Sequence, residues 1–230
     1  MGDSHTAPDA AGSAPPEPPA LGVGAWAGDW PDDQRYDPEL LANGDRRNVV
    51  DRYRYWSEAA IRADLVSRAH PFHVAVENWE HDFNIGAIVR TANAFGAAGV
   101  HIVGKRRWNR RGAMVTDRYL NVSHHADVAG LAGWARDEGL ALVAIDNVPG
   151  SVPLERAELP ERCVLLFGQE GPGLTPEALS AAQAVYGITQ YGSTRSINAA
   201  AAAAIAMYHW ALLHAVPPNA GGLEVGSSMR

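Results

Sequence analysis

Residues Cys163-Val164-Leu165-Leu166-Phe167-Gly168-Gln169-Glu170-Gly171-Pro172-Gly173-Leu174-Thr175-Pro176 decide the fold. The five apolar residues from Cys163 to Phe167 read as a strand buried on both faces, as in a parallel sheet. Glycines at 168, 171 and 173 then break the run, and Thr175 followed by Pro176 starts a helix in the favoured cap-then-proline order. The same unit recurs on either side. Upstream, Phe72 to Val76 reads as a strand, Ile85 to Phe95 as a helix capped by Asn84, and Val100 to Val103 as the next strand. A helix over Asp127 to Glu138 leads to a strand at Leu140 to Ile145. Downstream come a strand at Val185 to Thr189 and an alanine-rich helix from Asn198 to His214. This alternation predicts an α/β fold, a mostly parallel sheet with helices on both faces and ligands beyond the carboxyl ends of its strands.

The amino-terminal region has a different character. Ala-Pro-Pro-Glu-Pro-Pro at 14 to 19 and the scarcity of large aliphatic residues predict a disordered acidic tail over residues 1–40. From Arg46 to Ala69, Val49, Val50, Tyr53, Trp56, Ala60, Ile61, Leu65 and Val66 recur at helical spacing, which predicts a helical extension over 41–70. Its arginines 46, 47, 52, 54 and 62 leave two roles open, packing on the domain or contact with RNA. The main domain is expected over 71–216, followed by a flexible tail at 217–230.

Composition limits the chemistry. The 230 residues are 47% hydrophobic and carry a net charge of −7, with one cysteine. A lone Cys163 excludes an intrachain disulfide and a zinc site built on paired thiolates, and a reducing cytoplasm is the expected location. No membrane span is expected, because Tyr208, His209 and His214 interrupt the longest apolar stretch. The nine histidines show no acid-flanked helical pair, so no metal is expected. Residues 1–40 hold eight acidic side chains against Arg35, a net of −7, so the remainder is neutral. Within that remainder Lys105, Arg106, Arg107, Arg110 and Arg111 crowd around Trp108, a patch suited to phosphates or simply a solvated loop. The phosphate loop of nucleotide triphosphatases, the dinucleotide fingerprint and the hydrolase serine elbow are all absent from the sequence.

Three segments place glycine and polar residues directly after an apolar strand or at the start of a helix. The first is Asn84-Ile85-Gly86-Ala87-Ile88-Val89-Arg90, continuing to Ala92 and Phe95-Gly96; the second is Phe167 to Leu174; the third is Ile188-Thr189-Gln190 through Ser196-Ile197-Asn198. In this order they resemble the motifs of the SpoU (TrmH) family of RNA ribose 2′-O-methyltransferases, within the SPOUT superfamily. The resemblance covers about residues 72 to 215. Thr189 and Gln190 stand where the family has proline and methionine, and Ile197 where it has leucine. Arg195 before Ser196 is similar to a subset acting on tRNA.

The resemblance implies a C-terminal trefoil knot, a homodimer and S-adenosylmethionine as cofactor, with tRNA or rRNA as substrate. It implies that Ile145, Gly168, Gly171, Ile188, Ser196 and Ile197 hold the cofactor. Asn84, Glu170, Ser196 and Asn198 would form a hydrogen-bonded set that shapes the site and positions Arg90. For Arg90 two roles stand open, acceptor of the ribose proton or clamp on the target phosphate, since a guanidinium generally keeps its proton below about pH 12. Tyr208, Met207 and Trp210 on the last helix would serve either the dimer interface or the core. The reading from a different class is a noncatalytic RNA-binding protein on the same scaffold; a nicotinamide dehydrogenase lacks its fingerprint here.

Overall fold

A computed structural model describes residues 22–80 and 84–216, so the expected tails at 1–21 and 217–230 lie outside the described residues. The chain divides between Tyr55 and Trp56 into two units.

In the second unit seven strands form one sheet, all pairs parallel. They are β1 (His70–Asn78), β2 (Ala97–Gly104), β3 (Val122–His125), β4 (Ala141–Ile145), β5 (Val152–Pro153), β6 (Cys163–Phe167) and β7 (Ala184–Gly187), in the order β3-β2-β1-β6-β4-β7-β5. The expected central run is the middle strand: β6 is buried at all five positions and pairs with β1 and β4. The helices are α2 (Glu58–Ser67), α3 (Ile85–Ala94), α4 (Val128–Asp137), α5 (Pro176–Ala181) and α6 (Ala199–His214). Two separate apolar cores show that both faces are covered. One gathers Ile85, Ile88 and Val89 of α3 with Met207 and Trp210 of α6 over Phe72, Val74 and Leu165; the other gathers Leu131 and Ala135 of α4 with Ala178 of α5 over Ala75, Val164 and Leu166.

Helix α6 is fastened by polar as well as apolar contacts. The Trp210 ring lies 4.3 Å from Phe72, and its indole N–H donates to the carbonyls of Pro160 and Glu161. His209 and His214 donate to Ala157 O and Leu159 O, so these two histidines are anchors. Met207 and Trp210 therefore belong to the core, whereas Ile205, Tyr208, Leu212 and Leu213 are exposed.

On the α4 face a row of imidazoles crosses the sheet. His73 Nδ1 lies 3.0 Å from His101 Nε2, and His101 Nδ1 lies 2.9 Å from His125 Nε2, with Trp134 stacked on His101 at 4.1 Å. Burial lowers the pKa of His73 to about 4, reinforced by Arg162, and that of His101 to about 3, reinforced by the imidazoles on either side. Strand β3, which supplies His125, has no counterpart in the sequence reading: Val122-Ser123-His124-His125 is an edge strand without an apolar run.

The first unit corrects the expected tail. Residues 22–40, read as disordered, carry α1 (Pro38–Asn43), capped by Asp37, and an antiparallel bridge of Val23 to Asp45. Aromatic and charge contacts replace the missing aliphatic core. Trp26 meets Tyr36 and Tyr55 edge-on, and buried Asp45 accepts from Arg47 and from the Tyr55 amide. The expected continuous helix from Arg46 to Ala69 is also corrected. It holds a short turn at Asp51–Tyr53, then Tyr55 at φ 63°, and α2 starts afresh after Ser57, whose hydroxyl accepts from Ala60 N. The Tyr55 contacts, with its hydroxyl donating to Gly24 O, override the helical periodicity.

Candidate active site

The three motif segments converge at the carboxyl edge of the sheet through one line of hydrogen bonds. Asn198 Oδ1 accepts from the amides of Ala200 and Ala201, capping α6, which leaves its Nδ2 to donate 2.8 Å to Asn84 Oδ1. Asn84 Nδ2 in turn donates 2.6 Å to Glu170 Oε2. The orientation of each amide is thus fixed by the next, beginning at a helix terminus and ending at a carboxylate. Asn84 occupies the cap position of α3 but its side chain makes no capping bond, contrary to expectation, because it is committed to this line.

Gly86 has a reason beyond flexibility. A β-carbon there would stand 2.8 Å from Gly112 Cα and from Ala113 N, so the first turn of α3 lies backbone to backbone against the β2–β3 connection. The glycines of the second motif shape the turn itself. Gly168 is required because the turn closes on itself: a side chain would strike the Gly173–Leu174 peptide, and Gln169 and Gly173 exchange backbone hydrogen bonds. Gly173 has φ 73° beside the Asp146 carboxylate. Only Gly171, at φ 98°, has open space around it.

Polar side chains that the sequence reading did not single out brace this turn. Buried Glu77 accepts from the Thr175 amide and hydroxyl and from the Trp79 indole. Asp146 Oδ2 accepts from Leu174 N at 2.8 Å, and Gln169 Oε1 accepts from the amides of Trp79 and Glu80. Their signal in the sequence is a charge or amide at the end of an otherwise apolar strand. Of the residues expected to hold a cofactor, Ile145, Gly168 and Ile188 lie at or just beyond the ends of adjacent strands. Ile145 pairs with Phe167, the residue before Gly168, and with Tyr186, two before Ile188. Asn147 donates to Ile188 O, tying the loops after β4 and β7 together.

Two expectations are not met. Ser196 is exposed and lies outside the Asn198–Asn84–Glu170 line, and Arg90 is exposed on α3 with no hydrogen bond or ion pair to the described residues. Ile197 is half-buried just before Asn198. Among the described residues no group of three or more His, Cys, Asp or Glu side chains is arranged to hold a metal ion, and no helix is long and apolar enough to cross a membrane.

The SpoU rRNA Methylase family profile matches residues 71–208. The chain belongs to that family. It is 28% identical over 154 residues to a tRNA (guanosine(18)-2′-O)-methyltransferase of Borreliella burgdorferi, covering 66% of this chain and 71% of the relative. It is 26% identical to the Escherichia coli protein of the same name, covering 63% and 65%. The crystal structure of an AdoMet-bound rRNA methyltransferase from Sinorhizobium meliloti superposes with a TM-score of 0.56 at 28% identity, covering 64% of this chain and 59% of that one. Against the last two, the SpoU chain spans less than two thirds of the relative's length.

Proposed function

We propose that this protein transfers a methyl group from S-adenosylmethionine to a ribose 2′-hydroxyl of RNA. The observation that carries the reading is the hydrogen-bonded line Asn198–Asn84–Glu170, which joins all three family motifs at the ligand-binding edge of the sheet.

The residues present fit the cofactor. The side-chain oxygen of Gln190 is buried in the loop after β7 with no hydrogen-bond partner, an acceptor suited to an N–H donor of the ligand. Its orientation follows from Nε2, which faces Arg195 O at 3.4 Å; turning the amide would set oxygen against oxygen. Ile145, Gly168, Gly171, Ile188, Ser196 and Ile197 would hold the cofactor, by backbone groups and apolar contact. When bound, S-adenosylmethionine supplies an electrophilic methyl group on its sulfonium. Glu170, Asn84 and Asn198 keep a fixed polar wall beside the target ribose. Arg90, exposed and without a carboxylate partner among the described residues, has its charge available for a bidentate contact with the target phosphate. That contact would orient the 2′-hydroxyl, whose oxygen would take the methyl group as the methyl–sulfur bond breaks, with S-adenosylhomocysteine as leaving group and the hydroxyl proton passing to phosphate or water.

A homodimer is supported by α6. Ile205, Tyr208 and Leu212 form an exposed stripe opposite buried Ala203, Ala206, Met207 and Trp210, so both sides of the helix are apolar. A knotted C-terminal part is supported by the path from β7 back across the sheet to α6, which packs on α3, β4 and β6. A cytoplasmic location accords with an RNA substrate and with Cys163, buried and with its thiol pushed up to about 12 by desolvation.

The test is methyl transfer from radiolabelled cofactor to RNA, with the product nucleoside identified by mass spectrometry. Arg90→Ala is expected to abolish transfer while cofactor affinity survives. Near-normal turnover would remove Arg90 from the reaction, and a methyl group on a base would overturn the ribose assignment.

A further inference from the structure

The connection between β2 and β3 holds the densest charge in the chain. From Lys105 to Arg118 there are six cationic side chains and one acid, Asp117, in a protein whose net charge is −7. Arg118 is engaged by Glu58 at 2.8 Å, and Arg110 by Asp117 at 3.3 Å. Lys105, Arg106, Arg107 and Arg111 are exposed, and none has a carboxylate partner among the described residues.

This connection is fixed before any ligand arrives. Asn78, fully buried at the end of β1, donates from Nδ2 to Lys105 O at 2.6 Å and to Arg107 O at 2.9 Å, while the Lys105 amide donates to Asn78 O. The Asn78 Oδ1 is left buried without a partner, so the clamp is kept although it strands a polar atom. Asn109 Oδ1 accepts from Arg111 N. The Gly86–Gly112 contact seats the segment on the first turn of α3, next to Asn84. A flexible basic loop would have to be ordered on binding; here the backbone that carries the charges is already held.

Arg110 differs from its neighbours. Its guanidinium lies over the Trp108 ring, 5.5 Å from the centroid, and Trp108 is itself half-buried against the core. Stacked and paired with Asp117, it is locally neutral and planar, the chemistry that receives the face of an unpaired base.

We infer that residues 105–111 are a preformed RNA-binding surface beside the methyl-transfer site, with Lys105, Arg106, Arg107 and Arg111 on phosphates and the Arg110–Trp108 stack on a base. The inference rests on the ribose-methylation reading for its choice of RNA over an acidic protein. It divides the surface into side chains that set salt dependence and one that does not.

The experiment uses the full chain and an in vitro transcribed tRNA, with affinity measured by fluorescence anisotropy across a salt series. The triple change Arg106→Ala, Arg107→Ala, Arg111→Ala is expected to weaken binding on the order of 100-fold at about 0.1 M salt and to flatten the log–log salt slope by about 2 to 3. The charge-balanced pair Arg110→Ala, Asp117→Asn is expected to weaken binding roughly tenfold with the slope retained. Binding of S-adenosylhomocysteine, followed by calorimetry, should stay unchanged in both variants, which shows that the domain is intact. Unchanged tRNA affinity and slope in the triple variant would overturn the inference while leaving the methyltransferase reading in place. So would polyglutamate competing as well as tRNA, since an acidic protein would then suit the surface equally. Failure of the unaltered chain to bind S-adenosylhomocysteine would count against the methyltransferase reading instead.

Discussion

Gly86 shows how a single missing side chain organises the site. With a β-carbon 2.8 Å from backbone atoms of Gly112 and Ala113, neither neighbour being the far end of a flexible chain, one of the two segments must move. Gly86→Ala is expected to cost about 1–3 kcal/mol in a urea titration and to displace Asn84 from Glu170. Gly171→Ala meets no neighbour and suffers only from its positive φ, so about 1 kcal/mol is expected there. Equal losses at the two positions would show that close approach is not what Gly86 provides. Asn84, Glu170 and Asn198 were legible in the sequence because their order along three segments is distinctive. Glu77, Asp146 and Gln169 were not: each braces the second motif through contacts 28 to 98 residues away in sequence, which no local spacing encodes.

At the scale of elements, the row His73–His101–His125 gives the sheet a pH dependence of defined sign. Burial lowers the folded-state proton affinity of these histidines below the unfolded value of about 6.5. Between about pH 6.5 and the folded values, near 4 and 3 for the first two, the unfolded chain binds more protons, so stability falls as pH falls. Above about pH 6.5 the row contributes no slope. His101→Phe keeps a ring against Trp134 and is expected to move the acid-unfolding midpoint to lower pH in a circular-dichroism titration; an unmoved midpoint would assign acid lability elsewhere. The long or strongly apolar elements α3, α4, β6 and α6 were readable within a residue or two. Strand β3 was hidden by its polar edge composition, and α2 by the interruption at Tyr55, which depends on Trp26 far along the chain.

For the whole molecule, α6 decides the proposed assembly. Leu212→Glu places a charge in the exposed stripe without touching Met207 or Trp210, and it is expected to turn a dimer into a folded monomer in light scattering. A variant that stays dimeric would move the interface off α6. Fold class was legible from strand and helix alternation alone, because a parallel sheet needs crossovers and buried strands. The division between Tyr55 and Trp56 was not, since residues 22–55 depend on paired aromatic rings and a buried Asp45 in place of an apolar pattern.

Asn198 serves two masters, the start of α6 and the amide of Asn84. Because the ribosome delivers a polypeptide from its amino end, Asn84 and Glu170 emerge well before the residue that orients them. A nascent chain is therefore expected to gain competence only when the sixteen residues of the closing helix wind up behind Asn198. Copies that stop short of Asn198 are expected to lack methyl transfer.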